Sequence, residues 1–153
     1  MYLCIVKQYK KQTIMKTMKF KESNPRKQIM PNGKKKDLRV GDCVVRAITH
    51  VTGKSYKEVF VELTTFSLSH EFCHAINHEE IYEDYLFSLG FTKHKPKRNG
   101  RGKTYCVKNF PTDEGKRYVL LTSGHLTSIV DGEYLDTWDC GEYRANSYYE
   151  KVF

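Results

Sequence analysis

Between residues 41 and 90 apolar positions recur at intervals of three and four. Val44, Val45, Ile48 and Val51 form one stripe between Asp42, a residue suited to capping a helix start, and Gly53, suited to a left-handed C-terminal cap. Ser55-Tyr56-Lys57-Glu58 has the spacing of a capping box and opens a second stripe through Val59, Phe60 and Leu63, which predicts a helix running to about Thr65. A third helix is predicted over residues 79–89, with acids in its first turns, Ile81, Tyr85 and Leu89 on one side, Asn77 as cap and Gly90 as stop. Beyond Lys103 the period changes. Short runs rich in Tyr, Val, Thr and Phe, at 105–110, 117–122, 125–130, 133–138 and 147–153, are separated by Pro, Gly and Asp and read as strands. Helices first and an antiparallel sheet second is an α+β plan.

Residues 1–40 hold no sustained period and include Asn24-Pro25, Pro31-Asn32-Gly33 and Lys34-Lys35-Lys36. They are expected to form a basic N-terminal arm or lead-in strand ahead of a domain spanning 41–153. Met15 and Met18, just upstream of Lys19-Phe20-Lys21, are candidate alternative translation starts.

Charge sharpens this division. The chain carries a net +8, and residues 1–40 alone hold twelve Lys and Arg against Glu22 and Asp37. A second basic run, 93–103, has six Lys and Arg and no acid. The two runs are candidate contacts for nucleic acid or another anionic partner. That partner is not favoured, because no aromatic side chain lies between Phe91 and Tyr105 to stack on a base. A length of 153 residues suits one domain, and 13% aromatic residues is the composition of a folded globule. No run approaches eighteen consecutive apolar residues and Met1–Val6 is too short for a signal peptide, so no membrane partner is expected. Five cysteines scattered singly, an odd number, fit a reducing compartment. Oligomeric state has no sequence signal.

Candidate chemistry starts at Cys43. A cysteine in the first turn of a helix faces unpaired amides and the positive end of the helix dipole, both of which favour thiolate. About eighty residues later comes Gly124-His125, followed by a run that turns at Asp131-Gly132. A two-residue turn there pairs Val130 with Glu133, which sets Thr127 opposite Asp136 and His125 opposite Trp138. His125, Thr127, Ile129, Tyr134, Asp136 and Trp138 then share one face, with Asp136 diagonal to His125 and Asp139 pointing away. A carboxylate in that position fixes the imidazole tautomer, and Trp138 shields the bond from water.

The order Cys, His, Asp, carried by Gly41-Asp42-Cys43, Gly124-His125 and Leu135-Asp136-Thr137-Trp138-Asp139, resembles the papain-like cysteine peptidase superfamily over residues 41–153. The likeness is to its minimal bacterial branches, such as the bacteriocin-leader peptidases, and to small proteins of Gram-positive bacteria and their phages. It implies a papain-like α+β fold, a protein or peptide substrate, no metal or other cofactor, and a place in the cytoplasm of a bacterial host cell. Carried over, Cys43 is nucleophile, His125 general acid/base and Asp136 the orienting group. Asn146, in Asn146-Ser147-Tyr148, resembles the third member of plant-type relatives and competes with Asp136 for that role. Family members usually carry a glutamine a few residues before the nucleophile for the oxyanion. Asp37 stands six before Cys43, and Asn24 or Asn32 are the amides upstream that could serve instead.

Other readings remain beside this one. The same fold can act as a non-catalytic binding or inhibitory protein, for instance a phage protein directed at its host. The basic runs keep a nucleic-acid module in view. His70, Cys73, His74 and His78 have spacings that place His70, His74 and His78 on one helical face as a zinc site, but no second ligand pair recurs, and no metal is assigned. No Gly-x-Gly-x-x-Gly or Walker-type loop indicates a nucleotide cofactor.

Overall fold

The computed structural model describes residues 17–26, 32, 41–71 and 74–153. Three helices, α1 (Cys43–Thr52), α2 (Tyr56–Ser69) and α3 (Glu79–Ser88), precede most of a six-stranded sheet. Its strands are β1 (Lys19–Glu22), β2 (Thr92–His94), β3 (Lys116–Thr122), β4 (His125–Val130), β5 (Glu133–Asp136) and β6 (Ser147–Val152), ordered β1-β5-β4-β3-β6-β2. Every pairing is antiparallel except that of β1 with β5. The architecture is therefore mixed α+β. The lead-in expected over residues 1–40 supplies β1, so the sheet draws on chain from both sides of position 41.

The capping signals act as local chemistry requires. Gly53 closes α1, its amide donating to the Thr49 carbonyl at 3.0 Å. At α2 the Glu58 amide donates to Ser55 Oγ (3.2 Å) and the Ser55 amide to Glu58 Oε2 (2.8 Å), which satisfies two donors that the helix start leaves unpaired. This helix runs on past Thr65 to Ser69, because Phe66 packs edge-on against Tyr85 of α3 at 5.3 Å and Ser67 is buried. His78, not Asn77, is the cap residue of α3, and its side chain makes no capping bond.

The strand expected over 105–110 is instead a 3₁₀ turn at Val107–Asn109. Its buried side chains, Val107 and Phe110, stand three residues apart, which matches a three-residue turn and not the alternation of a strand. β2 carries no periodic signal of its own; three residues long, it is held by pairing with β6.

Alternation in the strands divides the core between the two sheet faces. Val119, Leu126 and Tyr149 pack with the apolar stripes of the three helices. Tyr118, Leu120, Ile129, Tyr134 and Tyr148 pack on the other face with Met18, Val107, Phe110 and Cys140. Among the described residues, no helix is long and apolar enough to cross a membrane.

Candidate functional site

The β4–β5 hairpin turns at Asp131-Gly132 with φ of 51° and 77°, the doubly left-handed geometry that an Asp-Gly pair tolerates best. Val130 pairs with Glu133, Ile129 with Tyr134 and Ser128 with Leu135, the register expected from the sequence. That register sets His125 and Asp136 diagonally across the hairpin. Their side chains meet, with 2.6 Å between His125 Nε2 and Asp136 Oδ2. His125 opens β4 directly after a tight turn from β3, in which Thr122 pairs with His125 and Gly124 takes a φ of 69° that a residue with a Cβ would resist.

Cys43 opens α1 beside the start of β4, and the His125 ring acts on its pKa through hydrogen bonding and charge. Asp42 stands at the cap position but its side chain makes no capping bond. The first-turn amides are thus left without that carboxylate, which instead accepts from Tyr56 Oη at 3.0 Å and pairs with Arg46. Burial pushes the Cys43 thiol up, but the His125 hydrogen bond, a bond from the Leu126 amide and the charge on His125 outweigh it, and the net shift is downward. For His125 burial lowers the pKa, while bonds to Asp136, Cys140 and Cys43 together raise it well above the ordinary value. Asp136 is pushed up by burial and pulled down further by His125 and the Thr137 amide, so it remains a carboxylate. The three shifts run in one sense, each favouring the charged form of its group.

Trp138 lies over the histidine, ring centroids 5.1 Å apart, and Tyr143 stands edge-on to it at 5.2 Å. Both aromatics remain largely exposed beside the site. A cavity of about 230 Å³ at the start of α1 is lined by Gly41, Asp42, Val44, Tyr56, Phe60 and Ile76 among others, and by none of Cys43, His125 and Asp136.

Three participants carry no sequence signal as strong as a capped cysteine or an Asp-Gly turn. Arg46, one helical turn after Asp42, is nearly buried and reaches within 3.7 Å of Asp136 Oδ1, so one guanidinium ties the cap of α1 to the acid on β5. Burial lowers its pKa and Asp136 offsets part of that. Cys140, fully buried, donates to Asp136 Oδ2 at 3.6 Å. It is brought back by a turn that Asp139 holds, accepting from Tyr134 Oη (2.7 Å) and the Gly141 amide (2.9 Å). His50 faces the hairpin from α1: its Nδ1 donates to Ser128 Oγ (3.0 Å), whose hydroxyl donates to the Leu135 carbonyl (3.2 Å), and its Nε2 accepts from Ser23 Oγ (2.9 Å). Burial depresses His50 to about 4, which keeps it neutral. An arginine four residues after the cap and a histidine on the inner helix face are the signals by which the helical wheel offers Arg46 and His50. Cys140 had none.

The remaining sequence candidates lie elsewhere. Asn146 is exposed and its backbone N–H donates to the Leu121 carbonyl at 2.7 Å, whereas the histidine's partner is Asp136. Asn24 is exposed, and its side-chain oxygen accepts from the Arg26 amide at 3.1 Å. Asp37 and Cys73 fall outside the described residues.

His70, His74 and His78 share no helical face, because α2 ends at Ser69 and α3 begins only at Glu79. His70 bonds the Phe66 carbonyl (2.7 Å) and Asp84 (2.9 Å), while His74 and His78 stack at 4.3 Å beside Glu80 on the surface. In the basic run 93–103, Lys93 of β2 pairs with Glu79 and Glu83, and Lys97 lies over the rings of Phe110, Tyr118 and Tyr148.

Comparison with protein-family models, with curated proteins and with solved structures finds no match.

Proposed function

We propose that this protein is a papain-like thiol hydrolase, a peptidase or amidase that forms an acyl-enzyme on Cys43. One observation carries the reading: a single imidazole bonded at Nε2 to a buried carboxylate, 2.6 Å away, beside a helix-start thiol whose pKa that imidazole lowers. With Nε2 engaged by Asp136, Nδ1 is the nitrogen left to exchange a proton with the sulfur.

The chemistry follows from those contacts. Sγ of the Cys43 thiolate attacks the substrate carbonyl carbon, and the first-turn amides of α1 face the oxyanion that develops. As the C–N bond breaks, the imidazolium of His125 gives its proton to the departing amine. Water, deprotonated by the now neutral ring, then attacks the thioester, releasing the carboxylic acid and restoring the ion pair. His125 and the Thr137 amide hold Asp136 in its charged form, Arg46 stands 3.7 Å from its Oδ1, and Asp136 keeps the ring oriented. Trp138 and Tyr143, aromatic and exposed beside the His125 ring, favour substrates with apolar side chains near the scissile bond.

Turnover of a fluorogenic peptide-amide library is the test. The wild type hydrolyses members of it, and Cys43→Ala and His125→Ala, folded by circular dichroism, do not. Equal turnover in either variant refutes the reading. Iodoacetamide near pH 6 gives a second measure: alkylation selective for Cys43 over the other four thiols supports an activated sulfur, and equal labelling of all five removes it.

A further inference from the structure

Cys140 has no part in the hydrolytic sequence, yet it is fully buried and bonded to the catalytic acid. One ligand atom each from His125, Asp136 and Cys140 lies within 4.8 Å of the other two. Asp136 Oδ2 is 2.6 Å from His125 Nε2 and 3.6 Å from Cys140 Sγ. Around tetrahedral zinc, oxygen and sulfur ligands stand about 3.6 Å apart and nitrogen and oxygen about 3.3 Å. The sulfur–oxygen spacing already fits, and the histidine–acid spacing must open by about 0.7 Å.

We propose that His125, Asp136 and Cys140 form a binding site for a thiophilic divalent cation, Zn²⁺ in the first place, that shuts the active site down. The donor set is one imidazole, one carboxylate and one thiolate, the combination that zinc selects over harder cations. Two protons leave when the ion enters, one from Cys140 Sγ and one from His125 Nε2, so the charge of the cluster is unchanged. Arg46 and the Thr137 amide face Oδ1 of the acid, leaving Oδ2 to the metal. The ring remains as a neutral imidazole held to the metal at Nε2, and its Nδ1–H, no longer that of an imidazolium, is too weak an acid to give its proton to the departing amine, so the ring stops serving as proton carrier. That inhibitory consequence rests on the hydrolase reading, whereas metal binding does not.

The test uses full-length protein stripped with a chelator and loaded with Co²⁺ as a spectroscopic stand-in, with Zn²⁺ competition giving affinity. One equivalent binds with thiolate-to-cobalt charge-transfer absorption in the near ultraviolet. Cys43→Ala retains that absorption. Cys140→Ala loses it, and affinity falls about tenfold or more. Asp136→Asn, which leaves the buried sulfur in place, also weakens binding and covers the case in which Cys140→Ala does not fold. A His74→Ala, His78→Ala double variant, lacking the surface imidazole pair, binds as the wild type. Absorption that survives Cys140→Ala, metal lost only with the surface pair, or no thiolate absorption at all each overturn the site. Metal binding as described in a protein whose metal-free form hydrolyses nothing sinks the hydrolase reading alone.

Discussion

Replacing His125 by alanine isolates what activates the nucleophile. In the wild type two of the influences that lower the Cys43 thiol, the hydrogen bond and the nearby positive charge, come from this one ring, and burial opposes them. Without the ring, burial and the Asp136 charge dominate and the thiol titrates above its ordinary value of 9.0. At pH 6 its thiolate fraction is then below about one in a thousand. A thiolate of higher pKa is intrinsically more nucleophilic, with a Brønsted slope of about 0.4–0.5, which returns part of the loss. Each unit of pKa separating the two proteins therefore costs a net factor of about 3 to 4 in the rate of alkylation at pH 6. A separation of two units or more slows Cys43 alkylation about tenfold or more, and moves the midpoint of its pH profile from below 9.0 to above it. The assay is iodoacetamide alkylation of metal-free protein, followed residue by residue by mass spectrometry from pH 5 to 10. Profiles of wild type and His125→Ala that superimpose refute an activated sulfur. Because no substrate enters, a null result in a peptide screen does not confuse the outcome.

Three further outcomes follow from the same contacts. In Asp136→Asn the His125 ring, followed by NMR of its carbon-bound protons, titrates at lower pH than in the wild type, since the bond and charge that raise it are reduced; an unchanged midpoint removes Asp136 from its role. His50 titrates at about 4 in the folded chain against an ordinary 6.5, so the stability it contributes is present above 6.5 and is lost as pH falls from there toward 4. After a discount for its partial exposure, denaturant unfolding between pH 7.5 and 5 loses about 1–2 kcal/mol in the wild type relative to His50→Gln, and equal pH dependence in both speaks against a buried neutral ring. Ser55→Ala removes the side-chain half of the α2 capping box and lowers stability by about 1 kcal/mol, a drop in Tm of about 2–4 °C, whereas an unshifted Tm shows that the 3.2 Å bond to Ser55 Oγ adds nothing.

Much of this molecule was legible before folding because its signals are local. Asp131-Gly132 has few ways to turn, and a turn of two residues sets the register of the whole hairpin, so the meeting of His125 and Asp136 could be worked out from spacing alone. Ser55 with Glu58, and Gly53 after Thr52, are likewise complete within a few residues. Other features had no such completeness. Residues 105–110 have strand-like composition, yet Val107 and Phe110 are drawn into the second core together and the chain coils between them. β1 is a four-residue segment whose pairing partner lies more than a hundred residues away.

The amino-acid order by itself determined which helix bears Cys43, which hairpin bears the histidine and the acid, and that those two side chains share a face. Only tertiary structure decided that the start of α1 lies against the start of β4, which joins the sulfur to the ring. It alone decided that Arg46 and Cys140 converge on the same carboxylate from α1 and from the turn after β5. The physical reason is range: backbone hydrogen bonds and turn geometry act within a few residues, whereas burial of two apolar faces of one sheet brings distant segments together. The protonation states of Cys43, His125 and His50 come from that second process, because desolvation and charge contact exist only once the faces have closed.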